Sequence, residues 1–406
     1  MTQRPIPLFA YADYRRGWFL GLLTGVVRWL EFLALGILAY QLTESPPLVA
    51  LLAIFRLAPY ALFGYLVGTL TDKIDRRRWL LIGLFAMMSV SAAMTCLAMT
   101  EHINYSTIVL ATLCTGLFWL TDMPIRRRVM LDAVGSNRAG RAMGIDNITN
   151  YATRGLGPLV GGVAFQWFGA TGVFSINFCL YLVCLILATG FQQMKPADVR
   201  QSEAEAASAH PNSPRRHLLS DTRFCLTLGI TVIYNLFCTP FLAMLPVFAR
   251  KDFDLTPAAV GTLAAFEGVG GLIGSIVIGL FIRPSAFFGI YFAGPLVYLL
   301  SMLALSFMLT PSTTLLALIA VGTGGAFFSA TQYALIYTTT PPDARGRAFG
   351  FLSLGIGCGT LGLMNAGLVF KTYESAMALQ ILALEGLGLL LCLGVFAIWR
   401  RLSARR

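Results

Sequence analysis

Basic residues in this chain fall in alternate gaps between long apolar runs, and that alternation constrains the fold more than any single motif. Runs of about 20 apolar residues, enough to cross a bilayer, lie near 17–42, 47–71, 79–100, 106–128, 141–165, 172–193, 222–249, 257–282, 287–309, 313–339, 346–370 and 375–399. Arg4, Arg15 and Arg16 precede the first, and Lys73, Arg76, Arg77 and Arg78 follow the second. Arg126, Arg127, Arg128, Arg138 and Arg141 surround the gap after the fourth. The parity continues with Lys195, Arg200, Arg215, Arg216 and Arg223, then Arg283, then Arg345 and Arg347, then Arg400, Arg401, Arg405 and Arg406. The opposite gaps hold only Arg250, Lys251 and Lys371. Because cytoplasmic loops retain the positive charge, the pattern predicts twelve crossings of the plasma (inner) membrane with both termini cytoplasmic.

Composition agrees. With 57% hydrophobic and 12% charged residues, the chain lacks the polar surface a soluble domain needs, and lipid is the expected solvent. The fold class is therefore an all-α membrane protein. The net charge of +11 is spread over short loops with no soluble face, so it points to anionic lipid headgroups and not to nucleic acid. The first apolar run is too long for a signal peptide, carries Arg28 and Glu31, and has no small-residue cleavage site after it. The eight cysteines sit in or beside apolar runs without CxxC or Cys/His spacing, which predicts helix packing, no metal and no cofactor.

One long stretch, 194–221, is polar, with a Lys195-Pro196 start and a His210-Pro211-Asn212-Ser213-Pro214 core. It reads as a cytoplasmic linker between an N-terminal six-helix bundle, 1–193, and a C-terminal one, 222–406. The halves resemble each other. Gly140-Arg141-Ala142-Met143-Gly144 opens the fifth segment and Gly346-Arg347-Ala348-Phe349-Gly350 the eleventh, with Gly161 matching Gly367 at the same offset. The second and eighth segments align Ala53 with Ala264 and Gly68 with Gly279, which sets Arg56 opposite Glu267. Parallel repeats about an axis along the membrane normal are a known transporter design.

Between the second and third segments stands Gly68-Thr69-Leu70-Thr71-Asp72-Lys73-Ile74-Asp75-Arg76-Arg77-Arg78. It resembles the signature loop of the major facilitator superfamily, in which Gly68 permits close helix approach, Asp72 caps or pairs at the cytoplasmic rim, and Arg76 and Arg77 anchor the loop. Asp75 stands where the family has a second glycine. The fifth segment carries Gly144, Thr153 and Gly157-Pro158-Leu159-Val160-Gly161-Gly162, similar to the motif that marks antiporters of the superfamily, with Thr153 in place of glycine. Small residues on one stripe allow close helix contact and Pro158 bends the helix, which suits a gating surface as well as a plain packing contact. The family's fourth-segment motif, with its mid-helix Arg, is not recognisable. That segment ends Thr121-Asp122-Met123-Pro124-Ile125-Arg126-Arg127-Arg128, which looks like the exporters of siderophores, macrolides and similar amphipathic compounds. The resemblance implies the major facilitator fold.

Charges at membrane depth are functional candidates because an ion there is costly. Counting about 1.5 Å per residue, Arg28, Glu31, Arg56, Arg154, Glu267 and Glu385 lie near the midplane. Arg28 and Glu31 share a face and are able to pair, either for substrate or proton exchange or as a permanent packing pair. Glu31 and Glu267 are the proton-coupling candidates, since a carboxylate that alternates between a low-dielectric site and a nearby Arg changes its proton affinity. Glu385 reads as structural or lipid-facing. Asp122 and Arg126 are four apart, as are Asp146, Asn150 and Arg154, and with Asp72 they suggest either a salt-bridged inner gate or simply charged helix ends. The resemblance implies that the first, fourth, seventh and tenth segments line the cavity, where Tyr234, Asn235, Gln332, Tyr333 and Tyr337 offer stacking and hydrogen bonds to an organic solute.

The expectation is a secondary active transporter, not an enzyme, that exports an amphipathic small organic solute by alternating access as a proton antiporter, and acts as a monomer. A proton-coupled importer and a non-transporting membrane sensor are the alternatives.

Overall fold

The computed structural model describes residues 7–71, 75–135, 138–191, 221–307, 311–340 and 345–403. Apart from Asp221, the expected linker 194–221 lies outside these residues, as does Asp72. The described chain is helical: α1 Ala12–Thr43, α2 Pro46–Thr71, α3 Arg76–Met99, α4 Tyr105–Val134, α5 Ala139–Thr189, α6 Thr222–Ile233, α7 Thr239–Phe253, α8 Pro257–Phe281, α9 Phe287–Leu305, α10 Pro311–Thr339, α11 Arg345–Gly357, α12 Gly359–Thr372 and α13 Ser375–Ser403. Ten helical stretches among the described residues are long and apolar enough to cross a membrane, and the first part of α2, Pro46–Pro59, is a shorter apolar helix. The chain is a multi-pass membrane protein.

The ten stretches reach the twelve expected crossings when the 26-residue α2 is added and α5 is read as two. It is 51 residues long and contains one residue, Gly169, with non-helical angles (φ 60°, ψ −157°). At 1.5 Å per residue it would extend about 75 Å, more than twice a hydrocarbon core of about 30 Å, so the backbone turns back at Gly169. The fifth and sixth expected segments are thus two arms of α5 joined by one glycine, whose positive φ an L side chain would strain.

Local chemistry sets the other ends. The Asp75 carboxylate accepts a 2.9 Å hydrogen bond from the Arg77 amide and so caps α3. Asn104 and Thr107 form a reciprocal capping box on α4. Asp221 accepts from the Arg223 and Phe224 amides at the start of α6. Between α6 and α7 lies a five-residue π-helical turn, Tyr234–Cys238, closed by the Thr239 amide on the Tyr234 carbonyl. Pro240 follows it at the start of α7. A proline ring clashes with the carbonyl four residues before it and brings no N–H, and the wider turn accommodates both.

The chain clusters into two compact units. The first comprises Met1–Thr43, Ile54–Val199 and Thr256–Ala265, and the second Glu44–Ala53, Arg200–Leu255 and Phe266–Arg406. In the first unit α1, α3, α4 and the second arm of α5 enclose a core that includes Leu20, Val27, Leu84, Phe118 and Tyr181. Glycines set the closest approaches. A Cβ on Gly157 would lie 2.6 Å from the Trp29 Cβ, and one on Gly161 would lie 3.0 Å from the Leu30 carbonyl, so this face of α5 rests on α1. Gly162 points the other way, where its Cβ would lie 2.9 Å from the Gly261 Cα of the first turns of α8. In the second unit Gly367, the sequence match of Gly161, lies against Ala50 and Pro47 in the first turns of α2, a contact that parallels that of Gly162 with α8.

Candidate functional site

The polar interior of the first unit is built by four helices, α1, α2, α4 and α5. The Arg126 Nη1 and Arg127 Nε each donate to the Asp146 carboxylate at 2.7 Å, tying α4 to the start of α5. Gly21 makes room, since a side chain there would run into the Arg126 guanidinium. Arg127 Nη2 also donates to the Asn147 side chain at 3.1 Å. Deeper in, the Asp122 Oδ2 lies 3.9 Å from the Arg28 Nη2 and accepts from the Thr24 hydroxyl at 3.5 Å. Two turns further along α4 the Thr115 hydroxyl donates to the Glu31 Oε1 at 2.7 Å. Trp119, between those levels, carries two guanidinium groups over its ring, Arg56 at 3.7 Å and Arg28 at 4.5 Å from the centroid. Arg56 Nη2 also donates to the Arg28 carbonyl at 3.0 Å. Desolvated cation–π contacts of this kind contribute about 2 kcal/mol each.

Glu31, Asp122, Arg126 and Asp146 are all at most 3% exposed. Buried charges persist where paired and hydrogen-bonded, and the array satisfies this by connecting helices rather than neighbours on one helix. Asp122 and Arg126, four apart, are within electrostatic reach of each other, while their ion pairs run to other helices, Asp122 to α1 and Arg126 to α5. Asn150 lines a small crevice with Thr24, Arg28, Met123 and Arg126, and Arg154 stacks over Trp29 at 4.9 Å. At the loop, Arg77 donates to the Thr189 carbonyl at the end of α5. Gly68 and Arg76 lie within α2 and α3. Gly157, Pro158, Gly161 and Gly162 form the two-sided contact described above.

The second unit holds its polar groups around hydroxyls and rings. The Thr231 hydroxyl and the Tyr291 hydroxyl lie 2.6 Å apart, and Gln332 Nε2 donates to the same threonine oxygen at 3.5 Å. Asn235, within the π turn, donates its Nδ2–H to the Thr231 carbonyl at 2.8 Å. The Tyr234 ring stacks on Phe328 at 3.7 Å and an interplanar angle of 8°, with Tyr291 on Phe328 at 5.0 Å. Tyr298 closes the group edge-on to Tyr234 at 5.6 Å. Tyr333 and Tyr337 lie on α10, and their side chains are outside the described set. Glu267 is 1% exposed on α8, where Gly322 of α10 abuts its backbone carbonyl. Arg56 belongs to the first unit and Glu267 to the second. Glu385 is exposed, and Asn365 Nδ2 lies 3.5 Å from its Oε2. Among the described residues no group of three or more His, Cys, Asp or Glu has metal-binding placement.

Tyr291, Tyr298, Phe328, Thr115, Trp119 and Thr231 escaped the sequence reading. Each is uncharged in an apolar run, and only their regular recurrence opposite the charged or aromatic candidates distinguishes them from ordinary core.

Comparison with known proteins accords with this architecture. The chain is 26% identical over 331 residues, 78% of each chain, to the uncharacterized MFS-type transporter YceJ of Bacillus subtilis (strain 168). It is 19% identical over 253 residues, 62% of this chain and 63% of the relative, to the Staphyloferrin A transporter of Staphylococcus aureus (strain NCTC 8325 / PS 47). In fold it is similar to a mutant form of the nucleoside transporter NupG, with a TM-score of 0.73 at 12% identity, covering 94% of this chain and 99% of that one. The family profile described as Major Facilitator Superfamily matches residues 17–363. Helical membrane architecture, transporter relatives and profile point to a transporter and not an enzyme, and the chain belongs to the major facilitator superfamily.

Proposed function

We propose that this transporter exports an amphipathic small organic solute, of the siderophore, drug or metabolite class, in exchange for protons. The observation that carries the reading is Glu31. Its carboxyl is buried, takes a hydrogen bond from the neutral Thr115 hydroxyl, and lies within electrostatic reach of Arg56. Displacement of that guanidinium during alternating access would change the proton affinity of the acid, which is the physical requirement for coupling. The stacked aromatic group and the hydroxyl and amide groups around Thr231 offer a solute a surface that is apolar in body and polar at a few points. Resemblance to the Staphyloferrin A transporter, whose name refers to a siderophore, supports that substrate class, and the glycine-rich face of α5 supports export. Glu267 is the second coupling candidate. In this reading the two six-helix bundles are joined by a cytoplasmic linker, the termini are cytoplasmic, and the protein resides in the plasma membrane as a monomer.

Inverted membrane vesicles with a lumenal pH dye and an acid interior test the reading. Desferrioxamine, erythromycin and ethidium, added in turn, serve as hydroxamate, macrolide and cationic probes. Export predicts alkalinisation of the lumen with one of these probes, abolished in Glu31→Gln. Further acidification by a probe would favour an importer, and silence across a panel extended to nucleosides and sugars, with the protein inserted, a sensor.

A further inference from the structure

Among the described residues, the buried polar atoms of the first unit with no protein hydrogen-bond partner include the Glu31 Oε2, the Asp122 Oδ1, the Tyr181 hydroxyl, and both amide atoms of Asn177. Asn177 and Tyr181 are 1% and 0% exposed. They lie one turn apart on the second arm of α5, hence on one face. Tyr181 stands edge-on to Phe118 of α4 at 5.8 Å, and its hydroxyl lies within electrostatic reach of both Glu31 and Asp122. Buried polar atoms in native proteins are nearly always satisfied, and where several converge the usual partner is ordered water.

The pattern of satisfied oxygens is informative. Thr115 occupies one oxygen of Glu31, while Thr24 and Arg28 occupy one oxygen of Asp122. Each carboxyl therefore keeps its other oxygen for exchange. Thr115 and Asp122 are seven residues apart on α4, about 10 Å along the axis, too far for a direct transfer between the carboxyls those positions mark.

The geometry points to Tyr181, assisted by Asn177, as a proton relay that connects Glu31 to Asp122 through water inside the first unit. The Glu31 Oε2–H bond breaks as its proton passes through water to the Tyr181 oxygen. The tyrosine releases its own proton toward the Asp122 Oδ1, where a new O–H bond forms. Glu31 becomes a carboxylate, Asp122 a carboxylic acid, and Tyr181 is left unchanged. Asn177 holds the bridging water with one donor and one acceptor. Around Glu31 the charged and titratable groups are Arg56 of α2, Cys114 of α4 and Tyr181 of α5, while Arg28, three residues before it, reaches Asp122. Around Asp122 they are Arg28 of α1, Arg126 on its own helix, and Asp146, Tyr181 and Cys184 of α5. From Asp122 the array continues to Arg126 and Asp146, and Arg127 beside them reaches the surface. The relay rests on the proton-antiport reading, and it places part of the proton route on the sixth crossing.

Time-resolved infrared spectroscopy of the full chain in liposomes after an acid jump tests it, through the stretch of protonated carboxyl groups. Glu31→Gln and Asp122→Asn assign the two contributions. Tyr181→Phe keeps the ring against Phe118 and removes only the hydroxyl. The expected result is an unchanged final amplitude with the rise of one contribution slowed about tenfold or more, 1.4 kcal/mol on the barrier. Asn177→Leu slows the same contribution. Unchanged rates in both variants overturn the relay and leave proton antiport standing. A wild-type spectrum without a contribution that Glu31→Gln removes would overturn Glu31 as the coupling acid, and the relay with it, leaving Glu267 to carry the antiport reading.

Discussion

Inside the first unit Arg28, Arg126 and Arg127 meet Asp122 and Asp146, with Glu31 and Arg56 close by, whereas the second unit, apart from the buried Glu267, groups hydroxyls, amides and stacked rings around Thr231, Tyr234 and Phe328. The two halves share a sequence pattern, visible in the matched glycines of α5 and α12, and each of these glycines makes a close helix contact. The polar interiors differ. Ionic groups in a low dielectric resist being moved without their partners, so the charged interior suits a two-state device whose energy depends on protonation. Neutral rings and hydroxyls tolerate a change of neighbour at little cost, which suits a surface that takes up and releases a solute.

That contrast predicts graded effects. The largest belongs to Asp146→Ala, which leaves Arg126 buried without its carboxylate; detergent-solubilised protein should lose about 3–5 kcal/mol in unfolding experiments, and a loss below about 1 kcal/mol would break the ionic description of the first unit. Tyr234→Leu removes the stack on Phe328 and should raise the half-saturating concentration of an aromatic transported probe by about two- to tenfold, 0.5–1.5 kcal/mol. Its proton response should stay unaltered, and a change in that response would erase the distinction between the units. An effect of similar size is expected for Thr231→Val. Interhelical hydrogen bonds in membranes contribute about 0.6 kcal/mol each on average, so loss of the Tyr291 and Gln332 contacts should cost about 1 kcal/mol in thermal stability.

The crossings were legible because their signal is long-range and redundant: every apolar run has about 20 residues and its flanks repeat a charge rule. The glycine faces of α5 were legible as a motif, but not that Gly157 and Gly161 serve α1 while Gly162 serves α8. A helix surface is shared among neighbours that one-dimensional spacing does not distinguish. Asp122 and Arg126 show the same limit for charge, since four-residue spacing brings them within reach of each other while packing gives each an ion pair on another helix. Asn177 and Tyr181 passed unnoticed because a single amide and a single phenol in an apolar run weigh little in composition. The π turn at Tyr234–Cys238 left only Pro240 as a trace.

Gly169 has a consequence for anyone who labels or cuts this protein. A turn of one residue between two crossings leaves no strand of chain long enough to enter a protease cleft or to carry an antibody epitope, even though Trp167 and Phe168 beside it are 73% and 71% exposed. Topology mapping by inserted tags would therefore interrupt the hairpin itself at this point, and absence of signal there would report a broken fold and not a hidden loop. The informative reporter is a single cysteine at Ala170, read with membrane-impermeant reagents of increasing size.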